Sequence, residues 1–256
     1  MADLSMPHTR PSHDTPPGTD PEMALRQADE ARNAFIAMLA HELRNPLAAL
    51  TNAVELTFAP DLPPEKRALG ESVLRRQLAS LNRMVDDLLD ASRVTQGKIQ
   101  LRREELEVQG LIRHVLETLE STVGKAEMPE VTLDLPARPL LLKADPVRME
   151  QVLGNLFSNA WKFSRPPRKL RVAVSATKDE VEFRVRDNGQ GISAELLPRI
   201  FDLFMQADIS TRRRASGLGV GLALVKKLTE LHGGSVQVSS AGPDQGSEFV
   251  VRLPRR

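Results

Sequence analysis

AHELRNPL, residues 40–47, decides how the N-terminal third of this chain is read. The apolar residues Phe35, Leu39, Leu43, Pro46, Leu47, Leu50 and Val54 fall within a sector of roughly 120° at about 100° per residue, which predicts an amphipathic helix. On that wheel His41 lies about 240° from Phe35, outside the stripe and towards solvent. A core histidine would sit inside the stripe. Glu42 follows directly and Asn45 comes one turn later. A neutral imidazole, with a reference pKa of about 6.5, is a competent nucleophile near neutrality. Attack through one ring nitrogen requires the other to hold its proton, and Glu42 is placed as a base or orienting acceptor. Pro46 has no N–H for the helical ladder and predicts a bend just after the histidine.

Working outward, Pro60, Pro63 and Pro64 break this helix. A second helix is expected over residues 65–94, with Leu74, Leu78, Leu81, Val85 and Leu88 in the alternating steps of a coiled-coil seam. The pair forms an antiparallel hairpin. One hairpin cannot cover both apolar stripes, so a dimeric four-helix bundle is expected, a homodimer through the hairpin. Before it, residues 1–21 are rich in Pro, Thr, Asp and Gly and are expected to be disordered. After residues 96–97, strands alternate with helices: IQLRRE (99–104), a helix over 108–123, VTLDL (131–135), LLLKAD (140–145) and a long helix from Pro146. Then follow RVAVSAT (171–177), VEFRVRD (181–187), a helix over 217–232, SVQVSS (235–240) and EFVVRLP (248–254). Adjacent closing strands predict a mixed sheet covered by helices on one face, an α+β chain overall. The expected domains are 22–96 and 97–256.

Three blocks in the second half carry polar chemistry. In NLFSNAWKFS (155–164), Asn155 and Asn159 are four apart on one helical face, with Lys162 three further on. Amide oxygens are hard ligands suited to Mg²⁺, and Lys162 offers a positive charge for phosphates. In DNGQGI (187–192), Asp187 ends a strand, and Gly189 and Gly191 let the backbone turn tightly beside a flat ligand. In GLGVGL (217–222), Gly217, Gly219 and Gly221 precede a helix whose free N–H groups form an anion site, and Leu222 follows. Trp161, the single tryptophan, adjoins Asn159, so its fluorescence is expected to respond to nucleotide.

Composition excludes several classes. The 256 residues include 35 Lys and Arg against 34 acids and no cysteine. Disulfides and thiol catalysis are therefore absent, and near-neutral charge leaves no electrostatic footprint for nucleic acid or anionic membrane. No apolar run approaches the roughly 20 residues of a membrane span. A cytoplasmic location is expected.

The four blocks, in this order and spacing from about residue 28 onward, resemble the sensor histidine kinases of two-component signalling. The resemblance implies an ATP-binding α/β sandwich of the kinase, gyrase, Hsp90 and MutL superfamily, using ATP and Mg²⁺. His41 would be the phosphoacceptor, with onward transfer to an aspartate on a response-regulator receiver domain. Asn45 would orient the water that hydrolyses the partner's phospho-aspartate. Asp187 would accept a hydrogen bond from the adenine amino group. Phe201 and Phe204 match the block beneath an ATP lid spanning about 205–216, and are equally well core residues. Asn155 stands where ATP-hydrolysing relatives often carry glutamate, which favours transfer to histidine over hydrolysis. Ala40 departs from the serine of many relatives. The rival reading is a non-catalytic, nucleotide-gated scaffold that docks a receiver domain. With a sensor or membrane anchor usual upstream in the family, this chain is expected to sense through a partner or to belong to a larger design.

Overall fold

The computed structural model describes residues 21–58, 63–95, 99–205 and 219–255; at 21–35, 38, 41, 83, 87 and 90–95 it describes the backbone alone. The chain divides into two compact units, Met1–Ala40 and His41–Arg256. The first is described only through the opening part of its helix. The expectation of disorder for residues 1–21 falls on residues that, Pro21 apart, lie outside the described part.

Helix α1 spans Pro21–Phe58 and continues through Pro46, and α2 spans Pro64–Thr95. Proline suits the first turn of α2 because its missing N–H has no helical partner there; the carbonyl of Pro63 accepts from Lys66 and Arg67 N–H at 3.0 and 3.1 Å. Buried or half-buried positions recur in steps of four and three: Leu43, Pro46, Leu50, Ala53 and Thr57, then Gly70, Leu74, Gln77, Leu81, Met84 and Leu88. The helices approach closely at Gly70, where a Cβ would collide with the Thr57 hydroxyl and lie 3.4 Å from the Ala53 carbonyl. The predicted α2 seam is therefore split. Leu74, Leu81 and Leu88 are half-buried, whereas Leu78 and Val85 remain 52% and 49% exposed.

The remaining elements are β1 (Glu104–Glu107), α3 (Val108–Val123), β2 (Glu130–Asp134), β3 (Leu141–Ala144), α4 (Pro146–Phe163), β4 (Lys169–Ala176), β5 (Glu180–Asp187), α5 (Gly221–Leu231), β6 (Ser235–Ser239) and β7 (Glu248–Pro254). The main sheet has the order β2-β4-β5-β7-β6, with β2 parallel to β4 and the other pairs antiparallel. β1 and β3 form a separate antiparallel pair. The strands alternate as a half-covered sheet requires. Leu170, Val172, Val181, Phe183, Val185, Phe249 and Val251 point inward and join Ile112, Val115, Leu153, Leu156, Phe157, Val225 and Leu228 of the helices in one core. The opposite face carries paired charges, including Arg171–Asp134 at 2.7 Å and Arg252–Glu182 at 2.7 Å. The mixed sheet with helices on one face is as the sequence predicts.

Two boundaries differ. The strand expected over 99–104 lies at Glu104–Glu107; upstream, the Arg102 N–H goes to the Asp145 carboxylate at 2.8 Å instead of to a strand partner. The helix expected from 217 begins at Gly221, because Gly219 has φ +66 and a left-handed residue cannot continue a right-handed helix.

Asp145 anchors α4. Its carboxylate caps the helix by accepting from Arg148 N–H at 3.2 Å, and its own N–H donates to His232 Nε2 at 3.1 Å. Nδ1 of the same ring lies 2.7 Å from the Leu228 carbonyl. With Nε2 accepting, Nδ1 carries the proton, so the buried ring serves as a neutral bridge between α5 and α4.

Candidate functional site

Core packing of α4 sets where its polar residues stand. Met149, Val152, Leu153, Leu156, Phe157 and Ala160 are buried, so Asn155, Asn159 and Lys162 fall on the outer flank, where all three are half-buried. The Lys162 ammonium lies 5.6 Å from the centroid of the Phe163 ring.

The turn after β5 is tied to the end of α4: the Phe163 carbonyl accepts the Gln190 N–H at 3.0 Å. Asp187 is half-buried with both carboxylate oxygens engaged. Oδ1 accepts from Gly189 N–H at 2.7 Å and Oδ2 from the Ser247 hydroxyl at 2.5 Å. Each oxygen keeps a further lone pair for a ligand donor. Position 189 must be glycine, since a Cβ would stand 2.7 Å from both the Asp187 carboxylate and the Phe163 carbonyl. Gly191, at φ +67, is backed against the Gly242 carbonyl. Asn188 fastens the turn to the α4–β4 connection, donating to the Pro167 carbonyl and accepting from Lys169 N–H, both at 2.8 Å.

The third block meets the first. A Cβ on Gly221 would lie 3.0 Å from Asn155 Oδ1, so the start of α5 abuts the asparagine flank of α4. Leu222 packs on the core. Phe204 adopts φ +67, and its N–H donates to the Gly219 carbonyl at 2.9 Å. A Cβ on Gly219 would stand 2.8 Å from the Phe204 backbone. Phe201 turns to the core and meets Phe249 edge-on at 6.3 Å and 83°. Gly217, the arginines at 212–214 and nearly all of the expected lid lie outside the described residues.

The second half thus brings Gly221 against Asn155 midway along α4, and the turn of Asp187 and Gly189 against Phe163 at the end of the same helix. The Asn155 amide oxygen, beside a glycine at the start of α5, fits a Mg²⁺-nucleotide by donor chemistry. Ser247, sixty residues beyond Asp187, is a contributor that sequence reasoning missed; its only signal was a serine after a glycine-rich turn, GPDQGS. On α1, Glu42 is half-buried and Asn45 exposed. The expectation that His41 faces solvent falls on a side chain outside the described part. Trp161 does not face Asn159. Two residues apart they lie roughly 160° apart about the axis, and the indole N–H donates to the Glu127 carbonyl at 2.9 Å beneath the Arg168 guanidinium.

Comparison with known proteins finds two family regions in the chain. Residues 31–97 match the His Kinase A (phospho-acceptor) domain, and residues 144–256 match the family described as Histidine kinase-, DNA gyrase B-, and HSP90-like ATPase. The sensor histidine kinase RcsC of Escherichia coli (strain K12) is 31% identical over 231 residues, covering 90% of this chain and 24% of that protein. The circadian input-output histidine kinase CikA of Synechococcus elongatus is 34% identical over 241 residues, covering 91% of this chain and 31% of that protein. The chain therefore spans about a quarter to a third of the length of these relatives. The solved Acinetobacter baumannii histidine kinase AdeS is 26% identical with a TM-score of 0.61, covering 84% of this chain and 98% of that one. Among the described residues, no helix is long and apolar enough to cross a membrane. A phospho-acceptor region followed in order by an ATPase-type domain, with relatives of the same build, places the chain in the sensor histidine kinases of two-component signalling.

Proposed function

We propose that this chain is an ATP-dependent, autophosphorylating protein histidine kinase that passes the phosphoryl group from His41 to an aspartate of a response-regulator receiver domain. One observation supports the reading: two blocks far apart in sequence both come back to the asparagine-bearing helix α4, Gly221 against Asn155 and the glycine turn against Phe163 at its end. In this reading residues 22–96 form the dimerising phosphotransfer domain and 97–256 the ATP-binding domain, and the site of action is the cytoplasm.

Asp187 selects the base by accepting from the adenine amino group. Asn155 and Asn159 hold Mg²⁺ through their amide oxygens, and Lys162 and the N–H groups opening α5 hold phosphate oxygens. When bound, Mg²⁺ would supply positive charge to offset that of the phosphates. An imidazole nitrogen of His41 forms the bond to the γ-phosphorus as the bond to the ADP oxygen breaks. Glu42 orients the ring and takes the proton released from its other nitrogen. Asn45 positions water for dephosphorylation of the partner regulator. Asn155, unlike a carboxylate, cannot serve as a base for water, which directs the phosphoryl group to histidine.

The test is incorporation of label from γ-labelled ATP. The chain is expected to take up acid-labile, base-stable label, and His41→Ala to lose it while keeping ATP affinity within about twofold. Label persisting in the variant removes His41 from the reaction. ATP binding without label in the unsubstituted chain favours the non-catalytic scaffold.

A further inference from the structure

The connection between β6 and β7 reads SSAGPDQGS over residues 239–247. As a sequence it is an unremarkable glycine-rich turn, and the proposed chemistry makes no use of its first half. In the fold it lies alongside the turn that carries Asp187. Asp187 N–H donates to the Ser247 carbonyl at 3.0 Å, Gly246 N–H to the Gly189 carbonyl at 3.0 Å, and Asp244 N–H to the Gln190 carbonyl at 2.7 Å. The two loops are thus laced backbone to backbone.

A single side chain closes the lacing. The Ser240 hydroxyl accepts from Ile192 N–H at 3.0 Å, just beyond the glycine turn, and from Gly242 N–H at 3.3 Å. It donates to the Gly246 carbonyl at 2.7 Å. A hydroxyl has one proton to give and two lone pairs to receive, so this group is fully used. It joins the far end of one loop to both arms of the other. Gly246 immediately precedes Ser247, whose hydroxyl is bonded to Asp187 Oδ2. Without the Ser240 hydroxyl, three backbone groups, of Ile192, Gly242 and Gly246, lose this partner at once, and the loop holding Ser247 keeps only its backbone bonds and the Ser247–Asp187 bond to the turn holding Asp187.

We propose that Ser240 is a positioning residue for base recognition: it fixes the two loops so that Ser247 and Gly189 hold the Asp187 carboxylate aimed at the adenine amino group. This rests on the reading of Asp187 as the adenine acceptor. Ser240 itself touches no nucleotide in this account, so its effect must pass through Asp187.

That route gives a readout a merely structural role would not move. ITP differs from ATP in carrying a carbonyl oxygen where adenine has its amino group, so it lacks the donor that Asp187 accepts. Calorimetric titration of the full chain with each nucleotide is expected to show ATP preferred by about ten- to hundredfold. Ser240→Ala is expected to weaken ATP binding about three- to tenfold while leaving ITP binding nearly unchanged, so that the preference shrinks. Ser240→Thr, which keeps the hydroxyl, should retain both affinity and preference. An Ala variant that loses both nucleotides equally, or keeps the full preference, overturns the role of Ser240. Should the Ala variant fail to fold, a folded Thr variant that has lost the preference overturns it equally. No preference for ATP in the unsubstituted chain, or an unchanged preference in Asp187→Asn, instead overturns the reading of Asp187 beneath it.

Discussion

At the scale of the residue, His232 shows how a group without a part in the reaction can govern the platform for it. Its ring bridges α5 to the residue that caps α4, and it can do so only when neutral, with Nε2 free to accept from Asp145. Burial pushes its pKa below the usual histidine value, the Arg103 charge adds to the fall, and the Leu228 carbonyl and Asp145 oppose it. The unfolded chain therefore binds a proton more readily than the folded one. The resulting stability is fully present above the unfolded pKa of about 6.5 and is lost as pH falls from there through the lower folded pKa. Urea midpoints at about pH 7.5 and 5.5 are expected to fall further in the unsubstituted chain than in His232→Gln, which keeps an acceptor but cannot be charged. Equal slopes would show that His232 does not titrate with folding. The sequence offered no sign of this bridge, since a lone histidine before a glycine pair does not reveal that it reaches Asp145, 87 residues away. The turn at Asp187 was legible because its glycines follow at once. Ser240 and Ser247 were not, because what makes them matter is a loop pairing that exists only after folding.

At the scale of the element, helices were more legible than the segments that join them, for a physical reason. A helix writes its buried face at a fixed period, so α3 and α4 follow directly from their apolar spacing. β1 is the opposite case. EELE has little intrinsic strand preference, and it becomes a strand because Glu104–Glu107 find partners on β3. Faces of helices are also easier to count than to aim. Trp161 lies beside Asn159 in the sequence but on the opposite flank of α4, held by Glu127 and covered by Arg168. Its fluorescence is accordingly expected to stay within about 5% on addition of ATP and Mg²⁺, whereas Arg168→Ala shifts it by removing the cation above the ring. A large change with ATP, alongside binding seen by calorimetry, would mean that nucleotide reorganises the Glu127 side of the domain.

At the scale of the whole molecule, the hairpin leaves a question that its own packing answers. Each helix needs only one row to meet its neighbour, and the buried and half-buried row is complete from Leu43 to Thr57 and from Gly70 to Leu88. A second apolar row remains beside it. Leu47 and Val54 on α1 are 53% and 44% exposed, and Leu78, Val85 and Leu89 on α2 are 52%, 49% and 50% exposed. Spacings of seven within this row, 47 to 54 and 78 to 85, are those of a second helical seam, not of scattered surface residues. Full burial of such a side chain contributes about 1.5–3 kcal/mol, so covering these half-covered ones contributes roughly half of that each, and a second copy of the same hairpin offers an identical row to cover them. We therefore expect the chain to sediment as a dimer of its 28.3 kDa subunit. Leu78→Glu with Val85→Glu should yield a monomer, because each change asks the interface to bury a charge without a partner. The ATP-binding half does not contain these residues, so nucleotide affinity should hold within about twofold. A doubly substituted chain that still sediments as a dimer would move the interface off this row, and a monomer that has also lost ATP binding would show that dimerisation supports the nucleotide site itself.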